Sequence, residues 1–193
     1  MIKPSDYDSV QAASYGDAEA NAPQPGGHGC IIHKGAVVKD DYGEKLVLWF
    51  DIKEGSDSDG FYAKRYERDK QYAKDGASPK WRGEFKQPIY TKDNTTSPYF
   101  KGLIHSIEKS NPGYTWTWRE DTLKGKRLGL VFREEEFIGK NDGQLHTTTR
   151  AAWACDWDSY PQMPAPNKKL LKKDAAARQP QQLTPADEET LPF

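Results

Sequence analysis

The sequence predicts an all-β domain with one helix, and three observations support this fold class. Within residues 46–52, a set of apolar side chains (46, 48, 50 and 52) alternates with a mixed set (47, 49 and 51), so that one face of a strand is strongly apolar. Residues 100–107 repeat apolar side chains at the three- and four-residue spacing of a helix. Residues 141–143, Asn-Asp-Gly, separate two further strand-like segments and are typical of a hairpin turn.

The first half of the domain contains three candidate strands. The first runs from Cys30 to Val38, with Gly35 as a candidate bulge, and a turn over residues 40–43 follows it. Residues 46–52 form the second strand. We expect the third within residues 81–90, although the polar, aromatic and basic pattern that begins at residue 61 does not fix the structure there.

The second half begins with the helix. Residues 97–98, Ser-Pro, are typical of an N-cap and a first helical residue, and residues 111–113, Asn-Pro-Gly, end the helix. A strand with an apolar face over residues 128–132 follows. After the hairpin turn, the last strand extends from residue 145 to about residue 157.

Three strands, one helix and two further strands follow one another in the order of an OB-fold. This fold is a five-stranded Greek-key barrel, in which the helix lies between the third and fourth strands. Another small barrel, or an α+β sheet with one helix, would fit the same order. The OB-fold is the prediction that we carry forward.

Composition divides the chain into four segments. Residues 1–27 are rich in Ala, Asp, Ser, Gly and Pro, which predicts a flexible N-terminal arm. Residues 28–160 form the predicted OB-fold domain. Residues 161–186 combine Pro, Lys, Ala and Gln and are expected to be a disordered linker. Residues 187–193 form an acidic tip that completes the disordered C-terminal tail.

Charge is segregated along the chain, although its formal net charge is only −1. Residues 62–92 contain nine Lys or Arg and four Asp or Glu, a balance of +5. Residues 187–193 contain three acids and no base. Asymmetry of this kind indicates contact with nucleic acid.

The apolar runs are short. The longest, residues 46–50, is far below the ~20 residues that cross a bilayer. The first residues also lack the basic and apolar pattern of a secretory signal. We therefore expect a cytoplasmic protein with no membrane partner, in which Cys30 and Cys155 are buried thiols rather than a disulfide.

Unpaired nucleic acid is held by basic side chains along its phosphates and by aromatic rings that stack on its bases. Residues 61–92 contain both, and in an OB-fold this window falls on the second and third strands and their loops, which form the contact surface. Any of the rings could instead belong to the core, as we expect for Trp153. The candidate nucleic-acid-binding residues are Tyr62, Lys64, Arg65, Tyr66, Trp81, Arg82, Lys86, Tyr90, Trp116, Trp118 and Arg150.

A metal site is not expected. His28, Cys30 and His33 could be combined with Cys155 to give four zinc ligands. Strand alternation, however, places His33 on the opposite face from the other two, and no Cys-x-x-Cys pair is present.

Signatures of catalysis are also missing from the sequence. Residues 40–41 and 134–136 are runs of adjacent acids, whose side chains point to opposite faces of a strand and normally face solvent rather than hold Mg²⁺. There is no phosphate-binding loop with Gly-Lys-Ser/Thr and no serine nucleophile elbow. We expect neither a cofactor nor an enzyme.

The chain ends in an acidic segment, Asp187 to Phe193. Pro192 stiffens the peptide, and a partner can bind the ring of Phe193 together with the terminal carboxylate. The segment resembles the tip of bacterial single-stranded-DNA-binding proteins, although Thr190 interrupts the acids. In that family the tip binds helicases, nucleases, primases and recombination mediators. The resemblance implies that the partner-binding residues are Asp187, Glu188, Glu189, Leu191, Pro192 and Phe193.

The body of the chain is similar to an uncharacterised family of phage and prophage proteins of Gram-positive bacteria, usually encoded among replication and recombination functions. The matching residues are 26–31, 99–102, 107–114, 116, 123–126, 129, 131–132 and 134–137. The resemblance covers most of residues 1–157. It implies a role in phage DNA metabolism in the cytoplasm of a bacterial host cell, but it transfers no binding residue.

The sequence therefore predicts sequence-independent binding of single-stranded DNA in phage replication or recombination, with recruitment of partner proteins by the tip. Two alternatives stay open. One is a metal-dependent nuclease, and the other is a protein-interaction adaptor whose barrel binds no DNA. The oligomeric state, monomer or homo-oligomer, is not determined by the sequence.

Overall fold

The computed structural model describes residues 22–73, 77–140 and 142–171. The predicted acidic tip and most of the predicted arm lie outside these residues. The described part contains five strands, two helices and two short 3₁₀ turns at Glu120–Leu123 and Tyr160–Gln162. In chain order the strands and helices are β1 (Gly26–Asp40), β2 (Gly43–Ile52), α1 (Phe61–Gln71), β3 (Glu84–Pro88), α2 (Pro98–Ser110), β4 (Arg127–Ile138) and β5 (Leu145–Cys155).

The strands form one antiparallel sheet in the order β3-β2-β1-β4-β5. β1 lies at the centre: it pairs with β2 along most of its length and with β4 through its first residues. The two edge strands, β3 and β5, approach each other across an open cleft. The prediction of a mostly β fold with strands on either side of α2 is thus confirmed.

Two register shifts bend the sheet. In β1 the shift lies between Ile32 and Lys34, so that the bulged residue is His33 and not the predicted Gly35. In β5 the shift leaves Ala152 without a partner opposite it. The predicted core position of Trp153 depends on regular alternation along β5. The bulge at Ala152 breaks that alternation, and the Trp153 side chain is 41% exposed rather than buried.

The hydrophobic core lies between one face of the sheet and α2. The stripe on α2 that the sequence predicts is buried there through Phe100, Leu103 and Ile107. Phe50 of β2 and Phe132 of β4 meet edge to face, with ring centroids 6.0 Å apart. Burial of these apolar faces, worth about 25 cal/mol per Å², is the main force that holds helix and sheet together.

The boundaries of α2 follow from its sequence. Pro98 occupies the first turn, where its missing N–H is not needed. Asn111 ends the helix: its side chain donates to the carbonyl oxygens of Ile107 and Arg127, at 2.7 and 2.8 Å, and accepts the Arg127 N–H. One side chain therefore closes the helix and fixes its end to β4.

The prediction of a single helix is wrong, because α1 is a second one. Its sequence has little apolar periodicity, and Tyr62 is its one buried residue. Ion pairs between Arg65 and Asp69 and between Glu67 and Lys70 support its exposed side. Within the described ranges neither helix is long and apolar enough to cross a membrane.

The ends of the described chain lie against the sheet. β1 begins at Gly26, within the predicted arm. On the other side, residues 161–171 belong to the predicted linker, yet the Gly27 N–H donates to the Met163 oxygen at 3.3 Å. Further along, Lys169 exchanges backbone hydrogen bonds with Glu134 and Glu136. The folded unit thus includes residues on both sides of the predicted domain.

Candidate functional site

The site that collects most of the candidate residues is the cleft between β3 and β5. It has a volume of about 440 Å³. One wall is formed by α1 and by the chain from residue 80 through β3, and the other by β5. The lining residues are Pro23, Tyr62, Arg65, Lys80, Trp81, Arg82, Glu84, Phe85, Lys86, Thr148, Thr149, Arg150, Ala151 and Ala152.

Six of the eleven candidate nucleic-acid-binding residues line this cleft. They come from parts of the chain that are far apart in sequence, because α1, the residues around β3 and the edge strand β5 converge there. These residues are Tyr62, Arg65, Trp81, Arg82, Lys86 and Arg150.

The cleft is strongly cationic. Among the residues that the structure describes, its lining contains five basic side chains and one acid, Glu84. Burial, and next the charge of Arg82, lower the pKa of Arg65 from its ordinary value. Two guanidinium groups are therefore held close enough to repel each other, at a place where an anion would relieve that repulsion.

Glu84 is bound by its own cationic neighbours. Burial raises its pKa, but the hydrogen bond and charge of Lys86 and the charge of Lys80 outweigh that effect, so that the pKa lies below its ordinary value. The carboxylate is 3.2 Å from the Lys86 ammonium and 3.6 Å from that of Lys80. Glu84 therefore holds the ammonium groups of Lys80 and Lys86 beside the cleft, and the net charge of the cleft lining stays positive.

Trp81 is held in a fixed orientation at the cleft. Its indole N–H donates to the carbonyl oxygen of Phe50 at 3.1 Å. Its ring centroid lies 5.8 Å from that of Tyr66 and 5.5 Å from that of His33. Because the polar edge of the indole is satisfied and the ring is only half-buried, the exposed part of its surface is apolar and can stack on a planar ligand.

Two candidate rings belong to the core instead. Trp116 is 7% exposed and donates its indole N–H to the Arg119 carbonyl oxygen at 3.0 Å. Tyr62 lines the cleft but is only 6% exposed, and its ring packs against Phe50 in a T-shaped contact. Neither offers an open ring face to a base, and for these two the expectation of stacking is corrected.

The other candidates lie outside the cleft lining. Tyr66 supports Trp81 from α1, and Lys64 points to the Asp57 carbonyl oxygen at 3.5 Å. Tyr90, which is 44% exposed, forms an isolated bridge with Thr96. Trp118 is 70% exposed and rests on Trp116 with ring centroids 4.8 Å apart.

Sequence reasoning missed several residues of the cleft. Lys80 belongs to the basic window but was not singled out, and Thr148 and Thr149 carried no signal of their own. A run of threonines on a strand becomes informative only once that strand is known to face residues 80–86. Pro23, from the predicted arm, also lines the cleft.

The residues considered for metal binding have other partners. His28 contacts Glu54 at 3.0 Å through one ring nitrogen and the Gln24 carbonyl oxygen at 2.8 Å through the other. His33 lies beside Trp81, and both cysteines are free and buried. Among the described residues, no group of three or more His, Cys, Asp or Glu is arranged to hold a metal ion.

The sequence was compared with protein-family models and with curated proteins. Neither comparison finds a match. The functional assignment therefore rests on the cleft itself: its cations, its oriented indole and its open shape.

Proposed function

We propose that this protein binds single-stranded DNA without catalysis, with the DNA backbone in the cleft between β3 and β5 and bases against Trp81. The observation that carries the proposal is the convergence of five cations from three separate parts of the chain beside one oriented indole. Since the net charge of the whole chain is −1, this concentration of positive charge is local. Phosphates are the polyanion that such a groove favours.

We also propose that the sheet is the barrel of an OB-fold. Three features support this: the strand order β3-β2-β1-β4-β5, the position of α2 between β3 and β4, and the approach of the two edge strands. A five-stranded barrel opened between β3 and β5 has this order. In that fold the surface of the second and third strands and the adjoining loops bind single strands, and the walls of the cleft around β3 correspond to part of that surface.

Stacking on Trp81 favours an unpaired strand over a duplex. Stacking on Trp81 requires a base whose face is free, and in a duplex both faces of each base are covered. Stacking of one base on an aromatic side chain contributes about 1–3 kcal/mol and depends little on sequence. We therefore expect binding that prefers single strands and tolerates any sequence.

The nuclease alternative has less support, because three of the five acids in its two acidic runs, Asp40, Glu135 and Glu136, form ion pairs. Glu135 lies 2.9 Å from Arg133 and 3.4 Å from Lys169, and Glu136 lies 3.0 Å from Lys168. The Lys45 ammonium lies 2.6 Å from the Asp40 carboxylate. These acids stabilise the surface as ion pairs rather than forming a joint site for Mg²⁺.

The test is a titration of the full chain with fluorescent oligonucleotides, single-stranded and duplex, at several salt concentrations. The cleft variant combines Arg82→Ala and Arg150→Ala, and the control combines Lys39→Ala and Lys101→Ala, which remove the same charge outside the cleft lining. Loss of two phosphate contacts should reduce the slope of log K against log salt by about 1.4 for single strands. The control should leave the slope unchanged.

Three results would count against the proposal. Equal affinity for duplex and single strand would contradict the stacking of a free base on Trp81. Absence of binding would favour the adaptor, which uses only the C-terminal segment. Loss of substrate in the presence of Mg²⁺ would favour the nuclease.

For the C-terminal segment we propose recruitment of replication or recombination proteins in the cytoplasm of a bacterial host, as its resemblance to the tips of single-stranded-DNA-binding proteins implies. Deletion of residues 187–193 should abolish partner binding. DNA affinity should stay the same or rise slightly, because the acids no longer compete for the cationic cleft. A deletion that abolished DNA binding would show that the segment has another role.

A further inference from the structure

A second pocket adjoins the cleft at Trp81. It has a volume of about 280 Å³ and is lined by His33, Lys34, Trp49 and Trp81. Trp81 lines both the pocket and the cleft, so that the two sites share one indole. We call it the Trp49 pocket, because Trp49 lines this pocket and not the cleft.

The bulge in β1 creates this pocket. Pairing with β2 is regular up to Ile32 and resumes at Lys34, opposite Trp49, which leaves His33 as the extra residue. A bulge redirects the side chains at its position. Here the ring of the exposed His33 lies 5.5 Å from the Trp81 ring, and the ammonium of Lys34 lies 5.3 Å from the centre of the Trp49 ring.

Both indoles are fixed through their polar edges. Trp49 donates its N–H to the Glu84 carboxylate at 3.2 Å, and Trp81 donates to the Phe50 carbonyl oxygen at 3.1 Å. Both side chains are half-buried. A planar ligand therefore meets rings that are already oriented, and little conformational entropy is lost on binding.

We propose that the Trp49 pocket binds one unpaired nucleobase of the strand whose phosphates lie in the cleft. This inference rests on the proposed function and adds a defined subsite to it. The pocket is smaller than the ~300 Å³ at the lower end for drug-sized ligands, which suits a single base. Because Trp81 also lines the cationic cleft, the planar group that this pocket favours is a base of a strand bound there, and the Lys34 ammonium beside Trp49 adds a further cation for its phosphates.

The test uses an oligothymidylate and a series of the same length in which one abasic site is moved along the chain. In the wild-type protein, one position of the abasic site should weaken binding more than its neighbours. Trp49→Leu should weaken binding of the intact oligonucleotide about 5- to 150-fold, since one stacked base is lost. In this variant the position-dependent penalty should shrink, because the contact of the base with Trp49 is already lost while Trp81 still lines the pocket.

The matched control is Trp153→Leu, which removes an exposed tryptophan that lines neither site. It should bind like the wild type. Trp49→Phe keeps an aromatic ring and should restore most of the affinity. The slope of affinity against salt should be the same in all these variants, because the phosphate contacts in the cleft are retained.

A measurement on the wild-type chain covers the case in which Trp49→Leu does not fold. Photocrosslinking with an oligonucleotide that contains 5-iodouracil should label a peptide that includes Trp49 or residues 33–34. Crosslinks confined to other peptides would overturn the inference and leave the proposed function standing, as would a Trp49→Leu variant that binds normally. If the wild-type chain binds no oligonucleotide, both fail together.

Discussion

The carboxylate of Asp51, at the end of β2, accepts the backbone N–H groups of Tyr62 and Ala63 at 2.8 and 3.1 Å. A side chain of the sheet therefore caps the first turn of α1 from outside the helix. Asp51 is 5% exposed, and its negative charge also complements the positive end of the helix dipole. Arg65 follows one turn later, so that the cap helps to fix one cation of the cleft.

We expect Asp51→Ala to lower the free energy of unfolding by about 2 kcal/mol, since buried amides of α1 lose a charged acceptor. Asp57→Ala removes the same charge from the exposed loop before α1 and should change stability by less than ~0.5 kcal/mol. Urea unfolding of both variants measures the difference. Equal stabilities would mean that α1 is held by packing alone.

The same residues show why α1 was missed. Its amphipathic signal is weak because one buried side chain, Tyr62, faces the core. The groups that stabilise it are a distant carboxylate and ion pairs along an exposed face, and neither produces a periodic apolar pattern. By contrast, α2 could be predicted because its Ser-Pro start, its apolar stripe and its terminating Asn-Pro-Gly all lie within the helix or directly beside it in sequence.

As with the two helices, one part of the candidate site could be predicted from the sequence and the other could not. The basic and aromatic composition around residues 80–86 identified one wall, because charge segregation is visible in the sequence. The other wall depends on β5 approaching β3, which is a tertiary relationship. The Trp49 pocket depends on a bulge at His33 that shifts the register by one residue, and alternation alone gave no sign of it.

Gly83 is a position where the structure requires a glycine. A Cβ atom there would lie 2.2 Å from the Phe50 carbonyl oxygen, while the Phe50 N–H donates to the Gly83 oxygen at 2.9 Å. We expect Gly83→Ala to destabilise the protein by about 2–3 kcal/mol through steric overlap and to weaken oligonucleotide binding, because Trp81 and Arg82 adjoin it.

Gly102 provides the matched control for this substitution. It lies within α2, and a Cβ atom there would meet nothing within 4 Å. Gly102→Ala should therefore raise stability by up to ~1 kcal/mol, because alanine favours a helix. Thermal unfolding of the two variants should show shifts of opposite sign. If Gly83→Ala left the thermal stability unchanged, the approach of β2 to the segment around Gly83 would not be tight.

The two thiols should react slowly in the native protein. Burial raises the pKa of Cys155 to about 11, with a smaller contribution from Asp156, and burial raises that of Cys30 still more clearly. The thiolate is the reactive form, so that at pH 8 we expect little alkylation by iodoacetamide under native conditions and rapid alkylation in urea. Mass spectrometry of Cys155→Ser, compared with the wild type, assigns the labelled site. Fast native labelling of Cys30 would contradict its position in the core.

The loop before α1 should give the protein a pH-dependent contribution to stability. Asp59 lies 2.9 Å from the Lys53 ammonium and accepts the backbone N–H groups of Glu54 and Gly55. The hydrogen bond from Lys53 is the largest influence, and together with the two backbone N–H groups and the charge of Lys53 it outweighs the opposing effect of burial and lowers the pKa of Asp59 to about 2. Since this is below the unfolded value of about 3.9, the ionised carboxylate favours the folded state.

The sign of the dependence follows from these two values. The contribution is complete above about pH 4 and is lost as the pH falls towards 2, because the unfolded chain then binds a proton more readily than the folded one. Asp59→Asn keeps an oxygen acceptor but not the charge. Its stability deficit in urea unfolding should be largest at neutral pH and shrink between pH 4 and 2, with Asp57→Asn as the control for net charge. A deficit that stayed constant over this range would assign the role of Asp59 to geometry rather than to its charge.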